Sequence, residues 1–145
     1  MLNEVLTLIE NHSHSKILDG TLGLGGYSEE MLKRFSSSKI LGIDRDAEAV
    51  KFAQQRLNQY AQRFTALHKN FGAASELPDI ASYDVFVFDL GVSNMQITLP
   101  ERGFSFNIDG PLDMRMNPDD DSCPNAAEIL RDSDVDTLAE IFRVY

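Results

Sequence analysis

Apolar residues recur in two alternating patterns along the first 92 residues of the chain. Four short apolar runs are typical of β-strands, at 17–18, 39–43, 64–68 and 84–89. Three segments with apolar residues three or four positions apart indicate helices, at 2–10, 28–35 and 47–60. Strands that alternate with helices predict an α/β fold, a doubly wound parallel sheet with right-handed crossovers. The unbroken fourth run, Val85 to Phe88, predicts a strand that is buried on both faces.

The pattern changes after Leu90. Residues 93–125 are rich in Asn, Pro, Asp, Gly and Met and show no clear period, and a stretch of this length without regular structure is often a functional loop. Helical spacing resumes at 125–130, and again after Ser133, which we interpret as an N-cap. We therefore predict one region over residues 1–92 and a second over 93–145.

Composition narrows the classes of protein. The chain has 145 residues, a net charge of −10 and a single cysteine, Cys123, so an internal disulfide and a cysteine zinc cluster are excluded. The negative charge argues against a broad nucleic-acid surface. Glu4 and Glu10 interrupt the apolar N-terminal pattern, which is unlike a signal peptide, and no apolar run is long enough to span a membrane. We expect a cytoplasmic protein.

We predict no metal site. The acidic run Asp119 to Asp121 is typical of a solvated turn, and His12, His14 and His68 show no metal spacing with a partner carboxylate.

A glycine-rich turn separates the first strand from the helix that follows it. Gly20, Gly23, Gly25 and Gly26 lie between Asp19 and Ser28, which we interpret as the N-cap of that helix. Glycines let a backbone approach a ligand closely, and a helix N-terminus presents free N–H groups. The turn alone indicates a nucleotide-like ligand, although a tight chain reversal would need glycines as well.

Acidic residues follow three of the predicted strands: Asp19, Asp44 and Asp89. Ligands bind at the carboxyl ends of parallel strands, and an acid about 20 residues beyond a glycine turn is placed to accept hydrogen bonds from ribose hydroxyls. Asp44 has this spacing, although it could instead be the N-cap of the next helix. Ser28 replaces the third glycine of the NAD fingerprint, and no phosphate loop is present. These features favour S-adenosylmethionine over NAD.

Several longer motifs extend the argument to a known family. LDGTLGLGGYS, GIDRDAEAV, Asn70-Phe71, DLGVSNMQ, ERGFSF and DGPLDMRM occur in this order along the chain. Together they resemble the bacterial 16S ribosomal RNA (cytosine-N4)-methyltransferases, the MraW/RsmH family. The resemblance implies a Rossmann-like methyltransferase sheet, of which this chain has strands one to four and the start of an inserted helical domain. It also implies transfer of a methyl group from S-adenosylmethionine to a cytosine of the small ribosomal subunit.

The resemblance assigns functional residues. Implied cofactor contacts are Gly25, Gly26, Tyr27, Asp44, Phe71, Asp89 and Gln96, and the glycine pattern adds Gly23. Tyr27 stands where the family usually has histidine, and Thr98 stands where it has aspartate. Family members are roughly twice as long, so we expect this chain to bind the cofactor and to be inactive on RNA. A catalytically inactive binding module, or a homo-oligomer that covers an exposed fourth strand, remains an alternative.

We assign the reaction itself to Asp89, because an acceptor at this strand end can hydrogen-bond the cytosine amine and orient its lone pair. Arg102 and Arg115 are candidates for contacts to RNA phosphates. The alternative is that they form ion pairs with Asp109 or Asp113 and fold the loop.

Overall fold

The computed structural model describes residues 2–10 and 16–145 and divides them into two compact units, one up to Gly91 and one from Val92 onward. The first unit contains seven helices and strands: α1 (Leu2–Leu8), β1 (Lys16–Asp19), α2 (Gly26–Arg34), β2 (Lys39–Asp44), α3 (Ala47–Arg56), β3 (Phe64–His68) and β4 (Val85–Val87). Short 3-10 helices occur at Asn58–Tyr60, Phe71–Glu76 and Ile80–Ser82.

The strands form one parallel sheet in the order β3-β2-β1-β4. This arrangement confirms the predicted α/β fold with a parallel sheet. Asp19, the last residue of β1, pairs with Gly42 of β2 and with Val87 of β4. Asp44 lies two residues beyond Gly42, and Asp89 lies two residues beyond Val87. The three acids therefore lie together at the carboxyl edge of the sheet.

Apolar residues are buried on both faces of the sheet because neighbouring side chains of a strand point to opposite sides. Ile17 of β1 belongs to the larger cluster, which includes buried residues of α1, α2 and α3. Leu18 belongs to the smaller cluster, with Ile43 and Leu77. Ile17 and Leu18 are both fully buried, as expected for a central strand.

The prediction for β4 was wrong in one respect. The strand covers only Val85–Val87, and although Val85 and Val87 are buried, the side chain of Phe86 is 46% exposed. Among the described strands, β4 pairs with β1 alone and lies at the edge of the sheet, and the ring of Phe86 makes a tilted contact with that of Tyr83. An unbroken apolar run thus formed a strand with one buried face.

The second unit contains three helices, α4 (Asn94–Thr98), α5 (Ala126–Asp132) and α6 (Val135–Val144), and a 3-10 helix at Pro100–Arg102. Capping boxes at Ser93 and Asn125 begin α4 and α5. The predicted N-cap Ser133 was wrong, because Asp134 accepts the Thr137 N–H and Ser133 ends α5. No helix in residues 2–10 or 16–145 is long and apolar enough to cross a membrane.

Candidate functional site

The glycine turn ends in a helix start that differs from the prediction. Helix α2 begins at Gly26 and its N-cap is Gly25, which has the left-handed φ of 82° that glycine adopts without strain. Ser28 is not the cap. Its buried hydroxyl donates a hydrogen bond of 2.7 Å to Oδ2 of Asp19, so this serine links the first turn of the helix to the end of β1.

Two carboxylates accept hydrogen bonds from backbone N–H groups of the glycine turn. Oδ1 of Asp19 accepts the N–H of Thr21 at 3.4 Å, and Oδ2 of Asp44 accepts the N–H of Gly23 at 2.7 Å. The alternative that Asp44 caps α3 is wrong, because Asp46 accepts the N–H groups of Glu48 and Ala49. Asp44 instead connects β2 to the glycine turn, and its carboxylate retains lone pairs for further donors.

The same turn is tied to the end of β4. Gly20 N–H donates to the carbonyl of Val87 at 2.8 Å, and Asp89 N–H donates to Oγ1 of Thr21 at 2.7 Å. The ring of Phe88 lies against Gly20, where an added Cβ would come within 2.1 Å of its Cε1 atom. Sequence reasoning missed Thr21 and Phe88, because their roles depend on the register between β1 and β4.

Two glycines of the turn leave open space above the backbone. A Cβ at Gly23 or Gly26 would meet no atom within 4 Å, whereas a Cβ at Gly25 would lie 3.0 Å from Cδ1 of Leu57. Gly25 is therefore required for packing against the end of α3. Gly23 and Gly26 face free space that a ligand can enter closely, which is the form of a cofactor cradle.

Aromatic rings lie beside the cradle. The centroids of Phe71 and Phe88 are 5.7 Å apart with the ring planes at 64°, an edge-to-face pair. Both rings are more than two-fifths exposed. Phe71, a predicted adenine neighbour, thus presents an accessible apolar surface at the carboxyl side of β3.

An open cavity of about 380 Å³ adjoins this region. Its lining combines apolar and acidic side chains and includes two predicted site residues, Tyr27 and Asp89; the other lining residues are Glu4, Val5, Leu8, Val87 and Phe88. The end of β4 and the start of α2 therefore share one concave surface with helix α1.

The acids at the sheet edge interact electrostatically. Burial raises the pKa of Asp19 to about 6, the hydrogen bonds from Ser28 and Thr21 oppose this rise, and the negative charges of Asp44 and Asp89 add to it. Partial burial raises the pKa of the Tyr27 phenol, and the charges of Asp89, Asp19 and Glu4 contribute. The ion pairs among the described residues include none of the three strand-end acids.

The remaining predicted site residues belong to the second unit. Gln96 is buried, and its side-chain oxygen accepts the Ser93 N–H at 2.9 Å within the capping box of α4. Its contact with a cofactor stays a prediction.

Both candidate RNA-binding arginines hold the loop of the second unit together. Arg102 is buried and donates to the carbonyls of Arg115 and Met116. Arg115 pairs with Asp113 through Nε and Nη2, and this hydrogen-bonded pair lowers the pKa of Asp113. The alternative role predicted for Arg115, an ion pair with Asp113, is thus present, and RNA contact stays a prediction for both.

The described part of the chain contains no cluster of three or more His, Cys, Asp or Glu residues placed to hold a metal ion. His68 donates through Nε2 to the carbonyl of Arg45 at 2.9 Å. His12 and His14 lie outside the described residues.

Comparison with known proteins identifies relatives of this chain. A ribosomal RNA small subunit methyltransferase H from Nocardioides sp. is 41% identical over the whole of this chain, and one from Oleidesulfovibrio alaskensis is 42% identical. The chain spans 47% and 46% of their lengths, about half of each relative. A solved structure of a SAM-dependent O-methyltransferase from Thermotoga maritima superposes with a TM-score of 0.51 at 17% identity. The match covers 73% of this chain and 37% of the Thermotoga chain, and it supports the fold alone. The profile of the MraW methylase family matches residues 1–145, and the chain belongs to that family.

Proposed function

We propose that this chain binds S-adenosylmethionine and forms part of an enzyme that methylates the exocyclic N4 amine of a cytosine in 16S ribosomal RNA, in the cytoplasm. The observation that carries the proposal is the glycine turn, because its open Gly23 and Gly26 face the carboxyl ends of three strands that carry acids. Membership of the MraW methylase family and the names of the relatives support the reaction and the substrate.

The residues present fit an adenosine ligand that carries an amino-acid tail. Free space above Gly23 and Gly26 admits close approach of the ligand to the backbone. Asp44 lies at the end of β2 and has acceptor capacity for a ribose diol. The exposed ring of Phe71 offers a surface for adenine, and Tyr27 and Asp89 line the cavity next to the turn. Gln96 completes the set that we assign to the cofactor.

The cofactor supplies an electrophilic methyl group on a positively charged sulfur. The chain must then hold the weakly nucleophilic amine in line with that methyl group. We assign this task to Asp89, whose backbone is fixed to Thr21 and whose side chain faces the open cavity. Its carboxylate accepts hydrogen bonds from the amine, which frees and directs the nitrogen lone pair. No strong base is required, since the amine loses its proton after a neutral leaving group has formed.

Contact with RNA remains the least localised part of the proposal. The net charge of −10 is unfavourable for phosphate binding, so contacts must be local. The side chain of Arg115 is 17% exposed and forms an ion pair with Asp113. The guanidinium group of Arg102 donates hydrogen bonds to backbone carbonyls. For either to reach a phosphate, the loop of the second unit must rearrange.

A second candidate is a binding module that pairs through its edge. β4 has one neighbour among the strands that the structure describes, and Phe86 exposes nearly half of its side chain. An exposed edge strand favours self-association, so sedimentation of the chain across a concentration series tests for a homo-oligomer. NAD-dependent oxidation is disfavoured, because Ser28 at the third glycine position is buried and bonded to Asp19.

Calorimetric titration of the chain with S-adenosylmethionine and with NAD tests the cofactor assignment. We expect saturable binding of S-adenosylmethionine and no binding of NAD. Binding of NAD without binding of S-adenosylmethionine would refute the proposal. Methyl transfer to small ribosomal subunits tests the reaction, for the chain and for a longer version that spans the length of its relatives.

The role of Asp89 is separable from cofactor binding. Asp89→Ala should abolish methyl transfer by the longer version while S-adenosylmethionine affinity falls much less. Asp84→Ala is the matched control, since Asp84 precedes the same strand at its opposite end. Equal losses of transfer and affinity in Asp89→Ala would make Asp89 a cofactor ligand only.

A further inference from the structure

Asp19 occupies the centre of the acidic edge. It pairs in register with Gly42 and Val87, so Asp44 and Asp89 lie symmetrically, one on each side and two residues further along. With a strand spacing of about 4.8 Å and a rise of about 3.3 Å per residue, each flanking Cα lies roughly 8 Å from that of Asp19. Any ligand that crosses the ends of β2, β1 and β4 passes over Asp19.

The side chain of Asp19 cannot itself touch such a ligand, because it is 1% exposed. Its oxygens accept from the hydroxyl of Ser28 and the N–H of Thr21, and neither donor carries a net charge. The ion pairs of the described residues do not include Asp19, so its negative charge is not neutralised by a neighbouring cation. Its field therefore extends into the space above the turn.

We propose that buried Asp19 is a specificity-determining residue: its charge makes the site prefer the cationic cofactor over the neutral thioether product. This inference rests on the proposed function and adds a role that the glycine turn alone does not provide. Methyl transfer forms a bond between the methyl carbon and the amine nitrogen, which then loses a proton. The sulfur–methyl bond breaks, its electron pair stays on sulfur, and the sulfonium charge disappears. Attraction to Asp19 is thus present before the reaction and absent after it, which favours exchange of product for fresh cofactor.

The groups around Asp19 determine how cofactor affinity changes with pH. They are Thr21 in the turn, Ser28 and the neutral phenol of Tyr27 in α2, Asp44 in β2 and Asp89 after β4. The pKa of Asp19 is about 6, so its charge is present at pH 7.5 and is lost as the pH falls through 6. Affinity for the cationic cofactor should fall over this range, and affinity for the neutral product should change much less.

The test is calorimetric titration of the chain with S-adenosylmethionine and S-adenosylhomocysteine at pH 7.5 and pH 5.5. The two ligands share adenine, ribose and amino-acid tail, so the ratio of their dissociation constants reports the sulfonium charge. A buried unit charge beneath a partly solvated site is expected to change that ratio by about five- to tenfold. The wild-type ratio should favour S-adenosylmethionine at pH 7.5 and lose this factor at pH 5.5.

Two variants test Asp19 from opposite directions. Asp19→Asn keeps the shape and one acceptor for Ser28, and it should show the low ratio at both pH values. Ser28→Ala removes a hydrogen bond that favours the ionised carboxylate, so it should move the pH midpoint of the ratio upward while Asp19 remains. Ser28→Ala also keeps the test available if Asp19→Asn fails to fold.

The outcomes separate this inference from the proposed function. If the wild-type chain binds neither ligand at pH 7.5, the proposed function fails. If it binds both and the ratio is the same in Asp19→Asn as in wild type, or does not change with pH, the role of Asp19 is refuted. Asp84→Asn, a carboxylate at the opposite end of β4, is the control and should leave the ratio unchanged.

Discussion

The two units of the chain are stabilised in different ways. All the buried apolar residues of the described chain lie in the first unit, between Leu6 and Val87. The buried residues of the second unit are Gln96 and Arg102, both polar, and its exposed apolar residues include several on α5 and α6. The first unit is therefore stabilised by hydrophobic burial. The second is stabilised by helix caps and by hydrogen bonds from guanidinium groups to backbone carbonyls. A substitution should have a very different effect in each.

The largest effect should come from the core of the first unit. Leu32→Ala removes a 1% exposed side chain in α2 and should lower the free energy of unfolding by about 2–5 kcal/mol. Leu130→Ala in α5, where the leucine is 41% exposed, should change it by less than about 0.5 kcal/mol. Urea unfolding measures both. Similar losses for the two variants would contradict the contrast between the units.

Replacement of Asp19 should raise the stability of the protein at neutral pH, whereas removal of a hydrogen-bonded side chain usually lowers it. Its folded pKa of about 6 exceeds the ordinary value of 3.8, so the folded state binds more protons between pH 4 and 6. Stability from this group is present below pH 4 and is lost as the pH rises to 6, by about 3 kcal/mol.

Asp19→Asn should remove this penalty. The variant should flatten the dependence of stability on pH between 4 and 6, and it should be more stable than wild type at pH 7.5. Thermal unfolding across this range, with Asp84→Asn as the control, measures the effect. A variant that is less stable than wild type at pH 7.5 would show that the amide breaks the contacts with Ser28 and Thr21.

Glycines of the turn should separate stability from binding. Gly25→Ala places a side chain at a φ of 82° and 3.0 Å from Leu57, so it should destabilise the first unit by more than about 1–2 kcal/mol. Gly23→Ala is strained as well, at a φ of 49°, but its Cβ meets no neighbouring atom, so its stability loss should be the smaller of the two. It should nevertheless weaken S-adenosylmethionine binding, because the new methyl group enters the space that we assign to the cofactor.

The smallest global effect should come from Arg102→Met. The variant loses the hydrogen bonds to the carbonyls of Arg115 and Met116 but keeps an apolar side chain of similar length. We expect faster proteolysis between 103 and 124 and an unchanged urea transition of the first unit. A shift of that transition would show that the stability of the first unit depends on this loop.

Part of this molecule could be predicted from its sequence because local patterns decide it. The strand ends at Asp19 and Asp44 and the whole of β3 follow from apolar runs that stop at polar residues. The caps were harder, because several short polar residues compete. Ser28 bonds to Asp19 and not to its own helix, and Asp46 displaced Asp44 as a cap.

Contacts between distant segments could not be predicted from local patterns. The contact of Phe88 with Gly20 and the bond from Asp89 to Thr21 require the register of β4 against β1. The exposed face of Phe86 likewise depends on the edge position of β4, which the apolar run does not encode.

The bond between Asp89 and Thr21 joins residues 68 positions apart, and this separation has a consequence for the order of folding. The pairing of β1 with β2 closes a much shorter loop than its pairing with β4, and contacts distant in sequence form more slowly. During synthesis, the glycine turn emerges long before β4 can complete its second side. The cofactor cradle should therefore be among the last parts of the first unit to become protected from hydrogen exchange, and its ligand can select only chains that have finished folding.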